Sequence, residues 1–198
     1  MFDIWLRRRI DPALIRIGAG FAKRGISANT VTLAGAVVGV AAAVSIAHGL
    51  WFMGLALVAG NRVLDGLDGA VARHAKPTLW GGYLDSLADY VFYVAVPLGF
   101  ASANPANVWP ALLLVSSFIL TAVSFLALAA ILAKRDMGHS QKALTYTTGF
   151  MEGGETIAAF VLMCVFPHQF PVISIVYAGL CIITVSQRLW LAHRLLSE

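Results

Sequence analysis

The residues best suited to chemistry are four aspartates in one short segment, namely Asp65, Asp68, Asp85 and Asp89. Residues three or four positions apart share one face of a helix, so these aspartates form two pairs. If a short connection makes the two helices antiparallel neighbours, the pairs can face each other. Four carboxylates in one pocket repel one another, and divalent cations are the simplest remedy. All-oxygen ligands favour hard metals, so we expect Mg²⁺, Mn²⁺ or Ca²⁺, and four carboxylates could hold two ions.

Small residues and one arginine accompany the aspartates. Gly69 follows the second aspartate and leaves room for a ligand to approach the backbone. Ala72 keeps this helix face small, and Arg73 lies one turn after Gly69, where it can bind a phosphate through two hydrogen bonds. Gly81 lies one turn before the third aspartate. These residues predict a phosphate-binding site beside the metals, whereas Arg73 alone would also suit a basic loop at a membrane surface.

The chain that must position these residues has the composition of an integral membrane protein. Of its 198 residues, 59% are hydrophobic and 12% are charged, and the mean hydropathy is +0.80. Soluble domains carry about 25% charged residues. Six apolar segments each reach the roughly 20 residues that a membrane-spanning helix needs. They cover residues 30–50, 51–72, 80–104, 108–133, 144–166 and 170–192. The sequence therefore predicts an all-α membrane protein with six transmembrane helices.

The basic residues predict how this bundle is oriented. Lysines and arginines precede the first predicted span, lie between the second and third and between the fourth and fifth, and follow the sixth. The other three connections contain none. Because basic loops favour the cytoplasmic side, we expect both termini and the aspartates at that side. This topology and attraction to anionic lipid explain the net charge of +4, and we predict no nucleic-acid partner.

Residues 1–25 are predicted to form an amphipathic helix on the inner membrane surface, ahead of one six-helix domain over residues 26–198. Apolar residues recur at helical spacing along this segment, as Phe2, Trp5, Leu6, Ile10, Ala13, Leu14 and Ile17. A helix packed on the cytoplasmic end of the protein itself is the alternative. Within the first span, Gly35 and Gly39 form a GxxxG pattern that predicts close helix packing.

The aspartate motif resembles that of the CDP-alcohol phosphotransferase family. Its halves read Asp65-x-x-Asp68-Gly69-x-x-Ala72-Arg73 and Gly81-x-x-x-Asp85-x-x-x-Asp89. The chain is most similar to small bacterial inner-membrane members of that family. The resemblance implies an enzyme of phospholipid synthesis that moves a phosphatidyl group from a CDP-linked donor, usually CDP-diacylglycerol, to an alcohol, with release of CMP. It also implies a homodimer, with the active site on the cytoplasmic side of the membrane.

The resemblance further implies a role for each residue of the motif. The four aspartates would bind Mg²⁺ or Mn²⁺, and Asp89 would also act as the general base. The CDP donor would contact Asp65, Asp68, Gly69, Ala72, Arg73 and Gly81. Asn29 and Thr32 resemble a second family feature, at the start of the first span. Helix capping by Ser27 with polar packing by Asn29 and Thr32 is the alternative for that segment.

The acceptor alcohol is the least defined part of the predicted reaction. Lys134, Arg135 and Arg188 are cations expected on the cytoplasmic side and not used by the donor. They would suit a phosphorylated polyol such as glycerol 3-phosphate, although cations that snorkel to the interface are the alternative. Arg62 could neutralise the aspartates or lie near lipid. Glu152 and Glu155 suit either the dipole of the fifth span or acceptor selection. These last three residues receive no assigned role.

Two other classes of function use intramembrane aspartates. A prenyl-type transferase also binds magnesium diphosphate through aspartate pairs, but it would need more helices and would not require Gly69-x-x-Ala72-Arg73. A cation transporter would place acidic residues near the middle of the membrane, with a route to both sides. Here the aspartates are predicted to cluster at one end. Reversal of the reaction by CMP would distinguish the predicted enzyme from both alternatives.

Overall fold

The computed structural model describes residues 2–135 and 153–197, and the side chains of 12–134 and 153–197 within them. These residues form α-helices, joined by short turns within each described range, and neither range contains a β-strand. The helices are α1 (Phe2–Lys23), α2 (Ala28–Ala47), α3 (Trp51–Ala75), α4 (Leu79–Ala103), α5 (Val108–Arg135), α6 (Gly153–Val165) and α7 (Phe170–Leu196). Short 3-10 turns at Pro105–Asn107 and Pro167–Gln169 lead into α5 and α7.

Four stretches are long and apolar enough to cross a membrane, namely Ala28–Ala47, Leu79–Ala103, Pro105–Lys134 and Pro167–Leu196. Helix α3 has the length but carries the first two aspartates and two arginines, and α6 spans only 13 residues within the described part. Large apolar side chains are exposed along the helices, as expected for a surface that faces lipid. The all-α membrane class is confirmed, and the count of six spans stays a prediction.

Local sequence sets the helix ends nearest the aspartates. Gly25 follows α1 with a φ of 75°, a left-handed conformation that glycine adopts without strain. Ser27 Oγ accepts a hydrogen bond from the Thr30 amide over 3.2 Å and so caps α2. Thr78 Oγ1 accepts one from the Gly81 amide over 3.0 Å and caps α4. Capping by Ser27 is one of the two interpretations that the sequence offers for this segment, and the cap is present.

Helix α2 packs closely on both helices that carry the aspartates. Gly39 makes this approach possible. A Cβ at that position would lie 2.9 Å from a ring carbon of Phe92 on α4 and 3.1 Å from Asn61 Nδ2 on α3. The close packing that the GxxxG pattern predicts is therefore present, and it fixes α3 and α4 against a common partner.

Helix α1 is helical over Phe2–Lys23 and packs on α3 through its second half. Leu14 is buried in a cluster with Leu67 and Val71 of α3. Ile17, another of the apolar residues that recur at helical spacing, is 49% exposed. This contact agrees with the alternative of a helix packed on the protein itself. The side chains of residues 2–11, which include most of these apolar residues, lie outside the described side chains. The position of α1 on the membrane surface therefore stays a prediction.

An aromatic core joins α4 to the last two helices. Phe92 of α4 meets Phe160 of α6 edge-on, with ring centroids 5.5 Å apart, and Phe100 stacks on Phe170 of α7 at 4.4 Å. Cys164 and Cys181 are free and buried in the same core. Because Phe92 lies one turn after Asp89, this packing supports the helix turn that presents the fourth aspartate.

Candidate active site

The antiparallel hairpin of α3 and α4 brings the aspartate pairs together. Asp65, Asp85 and Asp89 each offer a carboxylate oxygen, and these oxygens lie within 4.8 Å of one another. All four aspartates, with Asp68, line one narrow cleft of about 10 Å³. A space of this size holds roughly one water molecule or ion. The cleft thus has the oxygen donors and the dimensions that a hard divalent cation requires.

Asp68 is the most buried of the four and is oriented from α2. Its Oδ2 accepts a hydrogen bond from Thr32 Oγ1 over 2.7 Å, and both residues are buried. Thr32 therefore contacts the aspartate cluster directly, and its predicted contact with the donor stays a prediction.

Arg62 is the cation closest to the cluster among the described residues. Its Nη2 donates to Asp89 Oδ1 over 2.9 Å, and its Nη1 lies 3.5 Å from Asp65 Oδ2. Of the two placements considered from the sequence, beside the aspartates or near lipid, the structure shows the first. One guanidinium cannot neutralise four carboxylates, so the cleft keeps a negative charge that favours divalent cations.

The other motif residues border this cleft at the connection between α3 and α4. A Cβ on Gly81 would lie 3.2 Å from Asn29 Oδ1, and one on Gly69 would lie 3.6 Å from Arg73 Nη1. Arg73 is exposed and Ala72 is half-buried. The structure thus brings the residues predicted to contact the CDP donor to the same end of the hairpin as the aspartates.

A larger cavity of about 160 Å³ opens on the side of α4 next to Asp89. Tyr90 and Tyr93 of α4, Tyr177 of α7 and phenylalanines of α5 line it together with Arg188. Arg188 is 7% exposed, and its Nη1 donates to the Thr121 carbonyl oxygen over 2.9 Å. A fixed guanidinium in an aromatic cavity can bind an anionic group of a small ligand.

Only one of the three predicted acceptor cations reaches this cavity in the described part of the chain. Arg188 lines it, whereas Lys134 is exposed at the end of α5 and does not. The side chain of Arg135 and all of Glu152 lie outside the described residues. Helix α6 begins at Gly153, and Glu155 lies in its first turn, as a helix-dipole partner would.

Sequence reasoning missed several residues that shape the site. Asn61 is a buried amide within an apolar helix, and this polarity was an available signal. Tyr93 lies four residues after Asp89, so helical spacing could have placed it on the same face. Thr156 and Tyr177 share a hydrogen bond of 2.8 Å across the cavity wall. They come from α6 and α7, and no local pattern relates them to the aspartates.

Proteins similar to this chain are known in bacteria and archaea. Over 198 residues, the chain is 40% identical to Inner membrane protein YnjF of Escherichia coli, with 96% of this chain and 94% of the relative covered. It is 38% identical over 99 residues to the archaetidylinositol phosphate synthase of Methanothermobacter thermautotrophicus, which covers 48% of this chain and 47% of that protein. The first relative thus covers almost the whole chain, and the second covers about half of it.

Solved structures of the phosphatidylinositol phosphate synthase PgsA1 from Mycobacterium tuberculosis have the same fold. The structure with CDP-DAG bound superposes with a TM-score of 0.75 at 23% identity, over 91% of this chain and 93% of that one. The structure with manganese and citrate gives a TM-score of 0.73 at 22% identity, over 90% and 88% of the chains. The sequence model for CDP-alcohol phosphatidyltransferases matches residues 26–190, which include every motif residue. Because this match spans most of its length, the chain belongs to the CDP-alcohol phosphatidyltransferase family.

Proposed function

We propose that this enzyme transfers the phosphatidyl group of CDP-diacylglycerol to a phosphorylated polyol and releases CMP. One observation carries the proposal: the carboxylates of Asp65, Asp85 and Asp89 converge within 4.8 Å, beside a cavity that contains Arg188. Family membership makes the chain a transferase of phospholipid synthesis. The CDP-DAG bound to the M. tuberculosis relative supports the choice of donor.

The four aspartates would hold two Mg²⁺ or Mn²⁺ ions, with Ca²⁺ as a bound substitute. The cleft volume of about 10 Å³ suits one ion, so binding of the second would require the cleft to widen. Manganese in the M. tuberculosis structure supports the use of a divalent metal, as do the carboxylate oxygens of the four aspartates that line the cleft. When bound, the ions neutralise the diphosphate and the charge that develops on the departing CMP. Thr32 keeps Asp68 turned toward the cleft through its hydrogen bond.

The donor would lie along the connection between α3 and α4. Gly69 and Gly81 leave the backbone accessible, Ala72 keeps the helix face small, and Arg73 reaches from solvent to a phosphate oxygen. Asn29 lies beside Gly81 and can hydrogen-bond the same ligand. Asp65 and Asp68 would complete the donor site, where they would also hold the metals. This arrangement holds the donor phosphorus near Asp89.

Asp89 would act as the general base of the transfer. Arg62 takes its Oδ1, so Oδ2 is left to accept the proton of the acceptor hydroxyl. The hydroxyl oxygen then forms a bond to the donor phosphorus nearest the lipid. The bond from that phosphorus to the CMP oxygen breaks, and CMP leaves with the electron pair. The products are the new phospholipid, CMP and a proton on Asp89.

The acceptor would bind in the cavity that Tyr90, Tyr93 and Arg188 line. Arg188 would bind a phosphate of the acceptor, while tyrosine hydroxyls would bind its alcohol groups. Glycerol 3-phosphate and an inositol phosphate both meet these requirements. Serine meets them less well, because its own ammonium group would approach a buried cation. Of the predicted acceptor cations, Arg188 is the one that the cavity supports.

The enzyme is a bacterial inner-membrane protein, in agreement with its relative from E. coli. We further propose six spans with both termini in the cytoplasm, a surface helix over residues 1–25, a catalytic domain over 26–198, and assembly as a homodimer. Lys23, Arg24, Arg73 and Lys76 all lie at the end of the bundle that carries the aspartates. Basic residues at that end support a cytoplasmic active site.

The test of this function uses purified protein, labelled CDP-diacylglycerol, Mn²⁺ and a panel of acceptors. The panel contains glycerol 3-phosphate, an inositol phosphate, serine and a phospholipid. We expect lipid product and CMP only with a phosphorylated polyol, and full loss of turnover in EDTA. Turnover that survives EDTA would overturn the metal assignment, and a wild type that uses only unphosphorylated alcohols would overturn the acceptor class.

A charge variant in the cavity links the acceptor to the structure. Arg188→Ala should raise the acceptor KM at least about tenfold, because it removes charge-assisted hydrogen bonds, while the KM for CDP-diacylglycerol stays the same. Arg194→Ala is the matched control, since Arg194 is exposed and stacks on Trp190 at 3.9 Å. If Arg188→Ala leaves the acceptor KM unchanged, Arg188 does not bind the acceptor and has only a structural role.

A further inference from the structure

The Arg62 guanidinium is fixed by protein groups on several sides. Nη2 donates to Asp89 Oδ1 over 2.9 Å, and Nη1 lies 3.5 Å from Asp65 Oδ2. Nε and Nη2 also donate to Asn61 Oδ1, over 2.9 and 2.6 Å. The guanidinium carbon lies 4.8 Å from the centre of the Phe92 ring. Each of the three nitrogens therefore has a partner, and one ring face restricts the group further.

Asn61 is itself anchored, so Arg62 is not free to swing. Asn61 is 3% exposed, and its Nδ2 donates to the Gly35 carbonyl oxygen of α2 over 2.8 Å. With its amide nitrogen committed in this way, Asn61 must present its oxygen to Arg62. The chain of contacts runs from α2 through Asn61 and Arg62 of α3 to Asp89 of α4. It sets the relative position of the three helices at the aspartates.

This arrangement has two opposite consequences for the site. Because Arg62 occupies Oδ1 of Asp89, that carboxylate cannot turn both of its oxygens toward one metal ion. Oδ2 is then the Asp89 oxygen that remains for the metal and the acceptor hydroxyl. At the same time, a permanent positive charge beside Asp65 and Asp89 opposes the binding of a divalent cation. The fork geometry of Arg62 thus favours turnover, while its charge weakens metal affinity.

We propose that Arg62 is a positioning residue of the transfer reaction, a fixed internal cation that aims the Asp89 carboxylate and limits metal affinity. The inference rests on the proposed function, in which Asp89 takes the acceptor proton and the aspartates hold the metal. This role differs from that of a purely structural salt bridge in the direction in which metal affinity changes when Arg62 is replaced. Loss of a structural salt bridge would weaken metal binding and slow turnover. Loss of a positioning cation would strengthen metal binding and slow turnover.

Two substitutions separate the charge of Arg62 from its geometry. Arg62→Gln removes the charge, and Arg62→Lys keeps the charge but loses the planar fork. The full-length protein in detergent is titrated with Mn²⁺, and free Mn²⁺ is followed by electron paramagnetic resonance, a readout that needs no turnover. Steady-state kcat and KM with CDP-diacylglycerol and the accepted polyol are measured on the same preparations.

The expected results differ between the two variants. Arg62→Gln should bind Mn²⁺ at least about tenfold more tightly, because a charge that repels the metal at close range is gone. Arg62→Lys should bind Mn²⁺ within about threefold of the wild type, because its charge remains. In both variants kcat should fall at least about tenfold, since the Asp89 carboxylate loses its alignment. The KM for CDP-diacylglycerol should stay near the wild-type value.

Arg194→Gln serves as the matched control, because it removes the same charge at an exposed position outside the site. It should change neither the Mn²⁺ affinity nor kcat. Weaker Mn²⁺ binding by Arg62→Gln, or a wild-type kcat in both Arg62 variants, would overturn the inference. An inactive wild type would overturn the proposed function instead. In that case the Mn²⁺ titrations would still show whether Arg62 opposes the metal.

Discussion

Asp89 lies beside residues of α4 that line the larger cavity of the site. It lines the narrow aspartate cleft, and the next residue along the helix, Tyr90, lines the larger cavity beside Arg188. Its Oδ1 faces Arg62. Asp89 thus lines the cleft, has one carboxylate oxygen held by a hydrogen bond, and is next to a residue of the larger cavity. Among the described residues, no other aspartate of the motif meets all three conditions. The position suits a group that serves the metal and the acceptor at once.

Replacement of Asp89 by asparagine should therefore affect the chemical step more than donor binding. We expect kcat for Asp89→Asn to fall at least about a hundredfold, the usual contribution of a general base. Binding of CDP-diacylglycerol should persist, because the other three carboxylates remain. Asp65→Asn is the comparison, and it should weaken Mn²⁺ binding and turnover together. Donor titrations and CMP release measure the two effects, and a near-normal rate in Asp89→Asn would end its assignment as the base.

The hydrogen bond from Thr32 to Asp68 permits a test that changes no charge. Thr32→Val keeps the shape of the side chain but removes the donor that lies 2.7 Å from Asp68 Oδ2. Loss of a buried hydrogen bond to a charged group costs about 1.5–3 kcal/mol. Mn²⁺ affinity should therefore fall about ten- to a hundredfold, as read by the same titration of free Mn²⁺.

Thr30→Val is the matched control for this substitution. Thr30 is exposed on the same helix, and its hydroxyl contacts only the capping Ser27 among the described side chains, at 2.9 Å. Its replacement should leave Mn²⁺ affinity within about twofold of the wild type, because an exposed hydroxyl contributes little. An equal loss of Mn²⁺ affinity in Thr32→Val and Thr30→Val would mean that both threonines stabilise the start of α2. The hydrogen bond from Thr32 to Asp68 would then not explain the loss.

Helix α2 is the element that holds the aspartate hairpin together. Its Thr32 donates a hydrogen bond to Asp68, and its Gly35 carbonyl oxygen accepts one from Asn61. The Phe92 ring packs against its Gly39, which has no side chain in the way. All three contacts lie on one side of the helix, which is the side that faces α3 and α4. A change in the distance between α2 and its partners should consequently disturb the metal site without touching an aspartate.

Gly39→Ala tests this dependence on helix spacing. The added Cβ would lie 2.9 Å from the Phe92 ring and 3.1 Å from Asn61 Nδ2, so these side chains or the helices that carry them must shift. Overpacking of this kind costs about 1–3 kcal/mol. We expect a lower thermal midpoint in detergent together with reduced turnover. Gly179→Ala on α7 is the control, since nothing lies within 4 Å of its added Cβ, and a loss of stability there equal to that of Gly39→Ala would refute the spacing argument.

Elements defined by local pattern were predictable, and those defined by packing were not. The i, i+3 and i, i+4 spacing of the aspartates predicted a hairpin with facing carboxylates, because it depends only on helix geometry and a short turn. The apolar segment 108–133 corresponds to α5, Val108–Arg135. In contrast, the sequence offered Lys134 and Arg188 as equal candidates. Only the rotation of α5 and α7 about their axes, set by tertiary packing, decides that Arg188 enters the cavity.

The molecule as a whole has an apolar flank and one charged end. Large apolar side chains are exposed along its helices, whereas the aspartates, Arg62 and Arg73 gather where α3 meets α4. This division suits an enzyme that takes a lipid donor from the bilayer and a polar acceptor from water. The donor chains can stay in lipid while the diphosphate reaches the cleft. The proposed topology follows if that charged end is cytoplasmic.

Cysteine labelling of the whole protein decides between six spans and four. Six crossings from α2 to α7 place Arg24 and Ser197 on one side and Ala106, after three crossings, on the other. If only the four most apolar stretches cross, Ala106 follows two crossings and lies on the same side as Arg24. Arg24→Cys, Ala106→Cys and Ser197→Cys are all at exposed positions, whereas the native Cys164 and Cys181 are buried.

With a membrane-impermeant maleimide, we expect Ala106→Cys to react in intact spheroplasts, and Arg24→Cys and Ser197→Cys to react only in inverted membrane vesicles. Unmodified protein is the control for the two native cysteines and should stay unlabelled on both sides. Labelling of Ala106→Cys from the same side as Arg24→Cys would exclude the six-span topology. Labelling of Arg24→Cys in intact spheroplasts would reverse the orientation and place the aspartates at the periplasmic surface, because α1 ends and α3 meets α4 at the same end of the bundle.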